Sequence, residues 1–329
     1  MKIKHILVAL TMVLLSQTGL KAQEEIVYDQ YYYNYYLVNP AVAGAERCTH
    51  FMWTGKLQWI GMDDAPRTTT LSFRTRLRGG MERLGIGAYA YLDKNGYSKR
   101  QGGQVSLGYH IPLSGGSTRG YMMKQRDISR QLSFALAGVI QHYSFADELF
   151  TEGNSADITI ANEGKDKGYY FNATFGTYLL LDNFFAGLTI ANLIPTKLTE
   201  LGKTEPVRPI TPYIFLGYDF QLGDGMVFEP GAMFKFNTED QRQFDFHLKF
   251  QQNVLDRDYG YWVELLYRHV LDKDNAQPLC LKPMGGVRIK KFNIGYTYTL
   301  GLTRINRHNK GDHELMLSYS FCKTQHFCR

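Results

Sequence analysis

The feature that most constrains this chain is an alternation of apolar and polar residues with period two, renewed about fourteen times between residues 49 and 321. Candidate strands lie near 49–60, 67–77, 84–92, 101–112, 130–143, 169–181, 184–193, 211–222, 226–236, 242–252, 259–269, 279–290, 292–301 and 313–321. Phe244, Phe246, Leu248 and Phe250 alternate with Asp245, His247, Lys249 and Gln251. Likewise Phe171, Ala173, Phe175, Thr177, Leu179 and Leu181 alternate with Asn172, Thr174, Gly176 and Tyr178. Segments of roughly nine to thirteen residues match the length with which a tilted strand crosses a bilayer.

Lipid offers no hydrogen bonds, so a sheet within it must satisfy its edges by closing on itself. The pattern therefore predicts an all-β transmembrane antiparallel barrel of about 14 strands. Apolar side chains would face lipid, and Asp245, His247 and Lys249 would form one row facing the lumen. A mean hydropathy of −0.30 fits a chain in which only half of each strand is apolar. Tight turns at Asp182-Asn183, Gly223-Asp224-Gly225 and Lys290-Lys291 alternate with long polar joins at 144–168, 194–210 and 302–312. That alternation puts short turns and both termini on the periplasmic side, where the join at 113–129 is unexpectedly long. A secreted β-sandwich is the competing fold, but its strands are typically shorter, about five or six residues.

The first residues read as a secretory leader: Lys2 and Lys4, an apolar core from Ile6 to Leu15, then Leu20-Lys21-Ala22, with cleavage expected after Ala22. Gln23 follows the cut, leaving no cysteine there for a lipid anchor. Removing Lys2, Lys4 and Lys21 lowers the formal net charge of +6 by three, too little to suggest a nucleic-acid partner. The chain thus divides into a leader (1–22), an N-terminal strap (23–48), a barrel (49–321) and a C-terminal extension (322–329).

The strap is dense in tyrosine, with Tyr28, Tyr31, Tyr32, Tyr33, Tyr35 and Tyr36 just ahead of Asn39-Pro40. Its Gln30-Tyr31-Tyr32-Tyr33-Asn34 and Leu37-Val38-Asn39-Pro40-Ala41-Val42-Ala43-Gly44 resemble the N-terminal signature of the PorP/SprF family of type IX secretion system membrane proteins. Lys56-Leu57-Gln58-Trp59-Ile60-Gly61 and Ala65-Pro66-Arg67-Thr68 are similar to a second family block. Gly311-Asp312-His313-Glu314, running through alternating apolar residues to Phe321, is similar to the family's closing strand. The family often has Pro where Tyr35 stands, an aromatic where Val42 stands and Gly where Asp64 stands.

The resemblance implies an outer-membrane barrel without enzymatic activity, cofactor or metal. It would bind type IX secretion components and a secreted, adhesin-like surface protein carrying a type IX C-terminal domain, with outer-membrane lipid around it. The adhesin of gliding members is the model for such cargo. The residues implied for partner binding or for plugging the lumen are Tyr31, Tyr33, Asn34, Asn39, Pro40, Ala41, Gly44, Gln58, Trp59, Gly61 and Pro66, with His313, Glu314 and Phe321 in the closing strand. A passive porin or small-solute channel is the alternative reading, and a purely structural barrel anchoring periplasmic proteins is a third. The loops near 144–168, 194–210 and 302–312 are the candidates for cargo contact.

Other constellations carry little chemistry. His313-Glu314 lacks the second histidine of a His-Glu-x-x-His zinc site. Gly85-Ile86-Gly87 continues to Ala88-Tyr89-Ala90, so the dinucleotide pattern fails, and glycines in a strand more readily make room for neighbouring rings. No Gly-x-Ser-x-Gly elbow is present. The four cysteines, Cys48, Cys280, Cys322 and Cys328, include no Cys-x-x-Cys pair. Cys48 precedes the first strand while Cys322 and Cys328 follow the last, so a bridge from Cys48 to either would lock the seam of a closed barrel.

Overall fold

The computed structural model describes residues 31–113, 130–145, 167–196, 207–223, 225–237, 241–254, 258–272, 275–303 and 309–322. Its strands are β1 (Thr49–Leu57), β2 (Arg67–Arg76), β3 (Leu84–Asn95), β4 (Ser98–Pro112), β5 (Arg130–Phe145), β6 (Lys167–Leu181), β7 (Phe184–Ala191) and β8 (Thr211–Tyr218). They continue with β9 (Phe220–Gly223), β10 (Met226–Phe236), β11 (Arg242–Val254), β12 (Tyr259–Asp272), β13 (Asn275–Ile289), β14 (Phe292–Gly301) and β15 (Asp312–Phe321). Neighbours pair antiparallel throughout, and β15 returns to β1 with Thr49 opposite Phe321 and Leu57 opposite His313. The sheet is a closed barrel of 14 strands with one additional short strand.

That short strand, β9, continues β8. Gly217 faces Gly231 and Phe220 faces Phe228, a single register along β10. The break between β8 and β9 falls beside Pro230 of β10, which has no N–H to give to the ladder.

The barrel is apolar outside and polar inside. In β4, Val105 and Leu107 point out at 69% and 56% exposure, while Gln104 and Ser106 point in at 5% and 3%. In β11, Phe246 and Phe250 are exposed and Asp245, His247 and Lys249 are buried, the row the alternation predicts for the lumen. A soluble sandwich would bury the apolar row instead. Among the described residues no helix is long and apolar enough to cross a membrane.

The mouth that carries Cys48 and Cys322 is the near mouth, and the opposite end is the far mouth. Near-mouth turns are tight where the sequence predicts them: Asp182 at φ +56°, Lys290 at φ +55°, and Gly223 and Gly225 at φ +96° and +79°. The expectation that short and long joins strictly alternate fails at the far mouth. There β3 and β4 extend toward each other until Asn95 pairs with Ser98 across Gly96 (φ +57°), and β12 and β13 until Asp272 pairs with Asn275. Asn95-Gly96 is a hairpin signal, and charged residues such as Lys94 and Lys99, opposite each other, remain in the strand ladder beside it. In β13, Pro278 is accommodated by a register shift opposite Arg268 and His269. β1 stops at Leu57, short of the expected residue 60, because Trp59 and Gly61 turn with φ +49° and +98°. The joins at 114–129 and 146–166, most of 194–210, and 304–308 of the join at 302–312 lie outside the described residues.

A disulfide joins Cys48 to Cys322 across the β1–β15 seam, spanning 274 residues of sequence. Cys328 lies outside the described residues. Non-reducing peptide maps should recover the Cys48 and Cys322 peptides as one linked species; an alkylatable Cys48 thiol in the folded protein would contradict the bridge. Val105→Arg should destabilise folding into vesicles by about 2–4 kcal/mol, the cost of a cation near the middle of a lipid-facing strand. A denaturant titration measures it, and an effect within about 0.5 kcal/mol would mean that this face meets water.

Candidate functional site

The strap threads into the lumen. From Tyr31 to Ala45 it makes two single-turn 3-10 helices, Tyr35–Leu37 and Pro40–Val42, joined by Val38 and Asn39. Asn39 caps the second turn, its side-chain oxygen accepting from the Ala41 N–H at 2.9 Å, and Pro40 supplies a fixed φ where no N–H is needed. Tight turns send successive side chains in different directions. The tyrosine run therefore lacks strand alternation because wall surrounds it on every side.

Together the rings reach five strands, β4, β7, β8, β11 and β12. Tyr31 donates to Asp245 at 2.8 Å and touches Tyr32, whose ring stacks on His247 with centroids 3.7 Å apart. Tyr33 packs on Trp262 at 4.0 Å, and the Lys249 ammonium lies 4.7 Å from its centroid. Tyr35 stacks on Phe215 and meets Phe185 edge-on. The Tyr36 hydroxyl accepts from Ser106 at 3.0 Å. Burial pushes the Tyr31 and Tyr33 phenols well above the usual tyrosine range, with the carboxylates of Asp245 and Glu264 respectively adding to it, so the strap stays uncharged along this edge.

Polar bonds fix the register. Asn34 donates to Ser72 at 2.7 Å, Asn39 to the Thr177 carbonyl at 2.8 Å, and His110 bridges Ser133 and the Ala43 carbonyl at 2.8 and 3.0 Å. Behind the rings the wall carries paired charges, Arg268 with Asp245 at 2.7 Å and Lys249 with Glu229 at 3.1 Å, and the His247 ring bonds Glu264 at 3.0 Å. Buried charges persist when they are paired and hydrogen-bonded, and a lumen lined with them suits a strap whose rings end in hydroxyls.

Glycines of the wall form the seats. A Cβ on Gly85 would lie 2.1 Å from the Ala43 carbonyl oxygen, on Gly87 2.5 Å from the Tyr36 ring, and on Gly176 2.3 Å from the Asn39 side chain. Gly44 itself, at φ +73°, brings its own Cβ position within 2.6 Å of the Gly85 Cα. The strand glycines thus make room for a ring, as the sequence suggests for Gly85 and Gly87, and also for the strap's backbone.

The sequence-derived residues fall into separate places. Tyr31, Tyr33, Asn34, Asn39, Pro40, Ala41 and Gly44 gather in the lumen. Gln58, Trp59, Gly61 and Pro66 stand at the far mouth. There the Ile60 N–H donates to the Gly311 carbonyl at 3.1 Å and the Trp59 N–H to Asp312 at 2.9 Å, so the second motif block adjoins the start of the third. Glu314 points inward beside Lys56 of β1, whereas His313 packs outward on Tyr296 and Tyr298, and Phe321 is exposed. Wall residues that seat the strap, such as His110, Phe185, Phe215 and Trp262, have no local signal in the sequence because they come from four different strands.

The model of the type IX secretion system membrane protein PorP/SprF family matches residues 20–319. The chain belongs to that family. It is accordingly an outer-membrane β-barrel of a type IX secretion system, in a family not known for enzymes. No curated protein matches the chain. Among solved structures, the PorP/SprF chain is similar to the CymD monoaromatic hydrocarbon channel, with TM-score 0.51 and 10% identity over 85% of this chain and 90% of that one. The Pseudomonas putida toluene transporter TodX has TM-score 0.46 and 11% identity over 88% and 93% of the two chains. The Acinetobacter baumannii outer membrane protein Omp33 has 0.42 and 10% over 85% and 99%. At such identity the CymD likeness speaks to the barrel fold alone.

Gly85→Val should expel the strap's inner end from its seat, because the Ala43 carbonyl and the His110 ring leave no room for the added methyls. Proteolysis within residues 31–45 of the reconstituted barrel should accelerate at least tenfold, while Gly138→Val, with open space around its Cβ position, should leave it unchanged.

Proposed function

We propose that this PorP/SprF barrel is a non-enzymatic accessory that binds an exported surface protein with a type IX C-terminal domain and helps to export or retain it. Residues 1–22 act as its leader, and the near mouth, with its tight turns, faces the periplasm. The observation that carries this reading is the occupied lumen: a family signature has been spent on filling the barrel, which suits a docking platform better than a conduit. Recognition then falls to the surfaces around the mouths. The turn at Trp59–Gly61 braced against Gly311 and Asp312 offers one such rigid platform at the far mouth, beside the joins that the sequence points to for cargo contact.

Affinity purification of the tagged protein from gently solubilised outer membranes, with mass spectrometry of the co-purifying proteins, tests the proposal. Recovery of type IX components together with a secreted protein bearing the C-terminal domain is the expected result. A second reading, a small-solute channel, draws on the barrel fold shared with CymD, itself named as a channel. Liposomes carrying the protein should not swell in sugar solutions; swelling at low protein, with no co-purifying partner, would favour the channel.

A further inference from the structure

Beneath the strap, at the near mouth, lies a cavity of about 260 Å³ whose wall is unusually basic. Arg74, Lys249, Arg288, Lys290 and Lys291 line it against two carboxylates, Glu46 and Glu229. Both carboxylates already face cations, Glu46 at 3.8 Å from Arg74 and Glu229 at 3.1 Å from Lys249, and the His50 ring lies 2.9 Å from Glu46. The wall also presents hydroxyls and amides, among them Ser72, Ser318 and Asn293. The Tyr33 side chain lines the cavity as well, and its buried hydroxyl has no hydrogen-bond partner. A buried donor left unsatisfied costs free energy, and a ligand oxygen would satisfy it.

We propose that this cavity is a binding site for a small phosphate-bearing group. Arg74 supplies a planar fork for two phosphate oxygens, Lys290 and Lys291 on the β13–β14 turn supply charge at the entrance, and Tyr33 donates from the strap. A phosphomonoester fits the volume and the excess of cations, and the surrounding hydroxyls and amides suit a polyol attached to it. Because Tyr33 and Asn34 of the strap also line the cavity, the bound group would stiffen the strap from below. Anionic phosphate oxygens beside a polyol are offered by a soluble sugar or glycerol phosphate, a monoester, and by a phospholipid headgroup at the inner leaflet, a diester. The inference does not depend on the cargo-binding role.

The test uses the purified full-length protein in detergent, titrated calorimetrically with glycerol 3-phosphate and with inorganic phosphate. Saturable submillimolar binding is expected, weakened at least tenfold by Arg74→Gln and by the paired change Lys290→Gln and Lys291→Gln, and less by Tyr33→Phe. Lys235→Gln, which lies outside this cavity, should bind as the parent does. The lysine pair sits on a turn, so that variant retains the folded gel mobility and keeps the test valid if Arg74→Gln misfolds. Native mass spectrometry separates the two sources. Retained phosphatidylglycerol displaced by glycerol 3-phosphate assigns the headgroup, and uptake into lipid-free protein assigns the soluble ester; either supports the site. Absence of binding at several millimolar with no retained lipid, or undiminished binding by the folded lysine variant, overturns it.

Discussion

Everything in this molecule follows from the need of a backbone in lipid to bond only to itself. β15 returning to β1 satisfies that need, and the Cys48–Cys322 disulfide fastens the strands at the place where closure is made. Closure then inverts the usual arrangement: the apolar row faces out and the polar row faces a common interior. Most of the strands' leucines and phenylalanines are committed to the outside, and only a few, such as Phe185, Phe215 and Leu266, turn into that interior. The strap provides the missing core. Its tyrosines give the ring area a core requires and hydroxyls that the polar wall can bond, a combination that phenylalanine lacks.

The strap and the wall fit by reciprocal omission. Where the strap is bulky the wall has glycine, as at Gly87 against Tyr36. Where backbone meets backbone both sides are small, as at Gly44 against Gly85. Charges withheld from lipid are paired in the wall, and Asp245 shows the economy of the design by holding Arg268 while accepting from Tyr31. Among the cavities along the strap are the basic one at the near mouth and a smaller one of about 140 Å³ that reaches toward the far mouth. Residues joined in the family signature accordingly serve different ends: the first block fills the lumen, while the second and third brace one another at the rim.

Much of the fold was legible because the barrel repeats a single rule. Period two marks each strand, so β6 and β11 could be assigned by face from their side chains alone. Short polar pairs or glycines, Asp182-Asn183, Lys290-Lys291 and Gly223-Asp224-Gly225, marked three near-mouth turns. Boundaries slipped where another rule competed. Asn95-Gly96 was hidden among charged residues that look like loop, Pro230 split one strand into β8 and β9, and the left-handed turn at Trp59 ended β1 early. The strap was legible as aromatic but not as to its contacts. Those are long-range: Tyr31 and Asp245 are 214 positions apart, and no local pattern encodes which ring meets which strand.

If residues 31–45 form the barrel's core, hydrogen exchange of the protein reconstituted in bilayers reads it directly. The N–H groups of Asn34, Leu37, Val38, Asn39, Ala41, Val42, Ala43 and Ala45 are bonded within the strap, on a segment buried in the lumen. They should exchange as slowly as the flanking strands β2, β3 and β4. Exchange of these amides within seconds, with the strands still protected, would show that the strap lies outside the lumen in solution and would contradict this account.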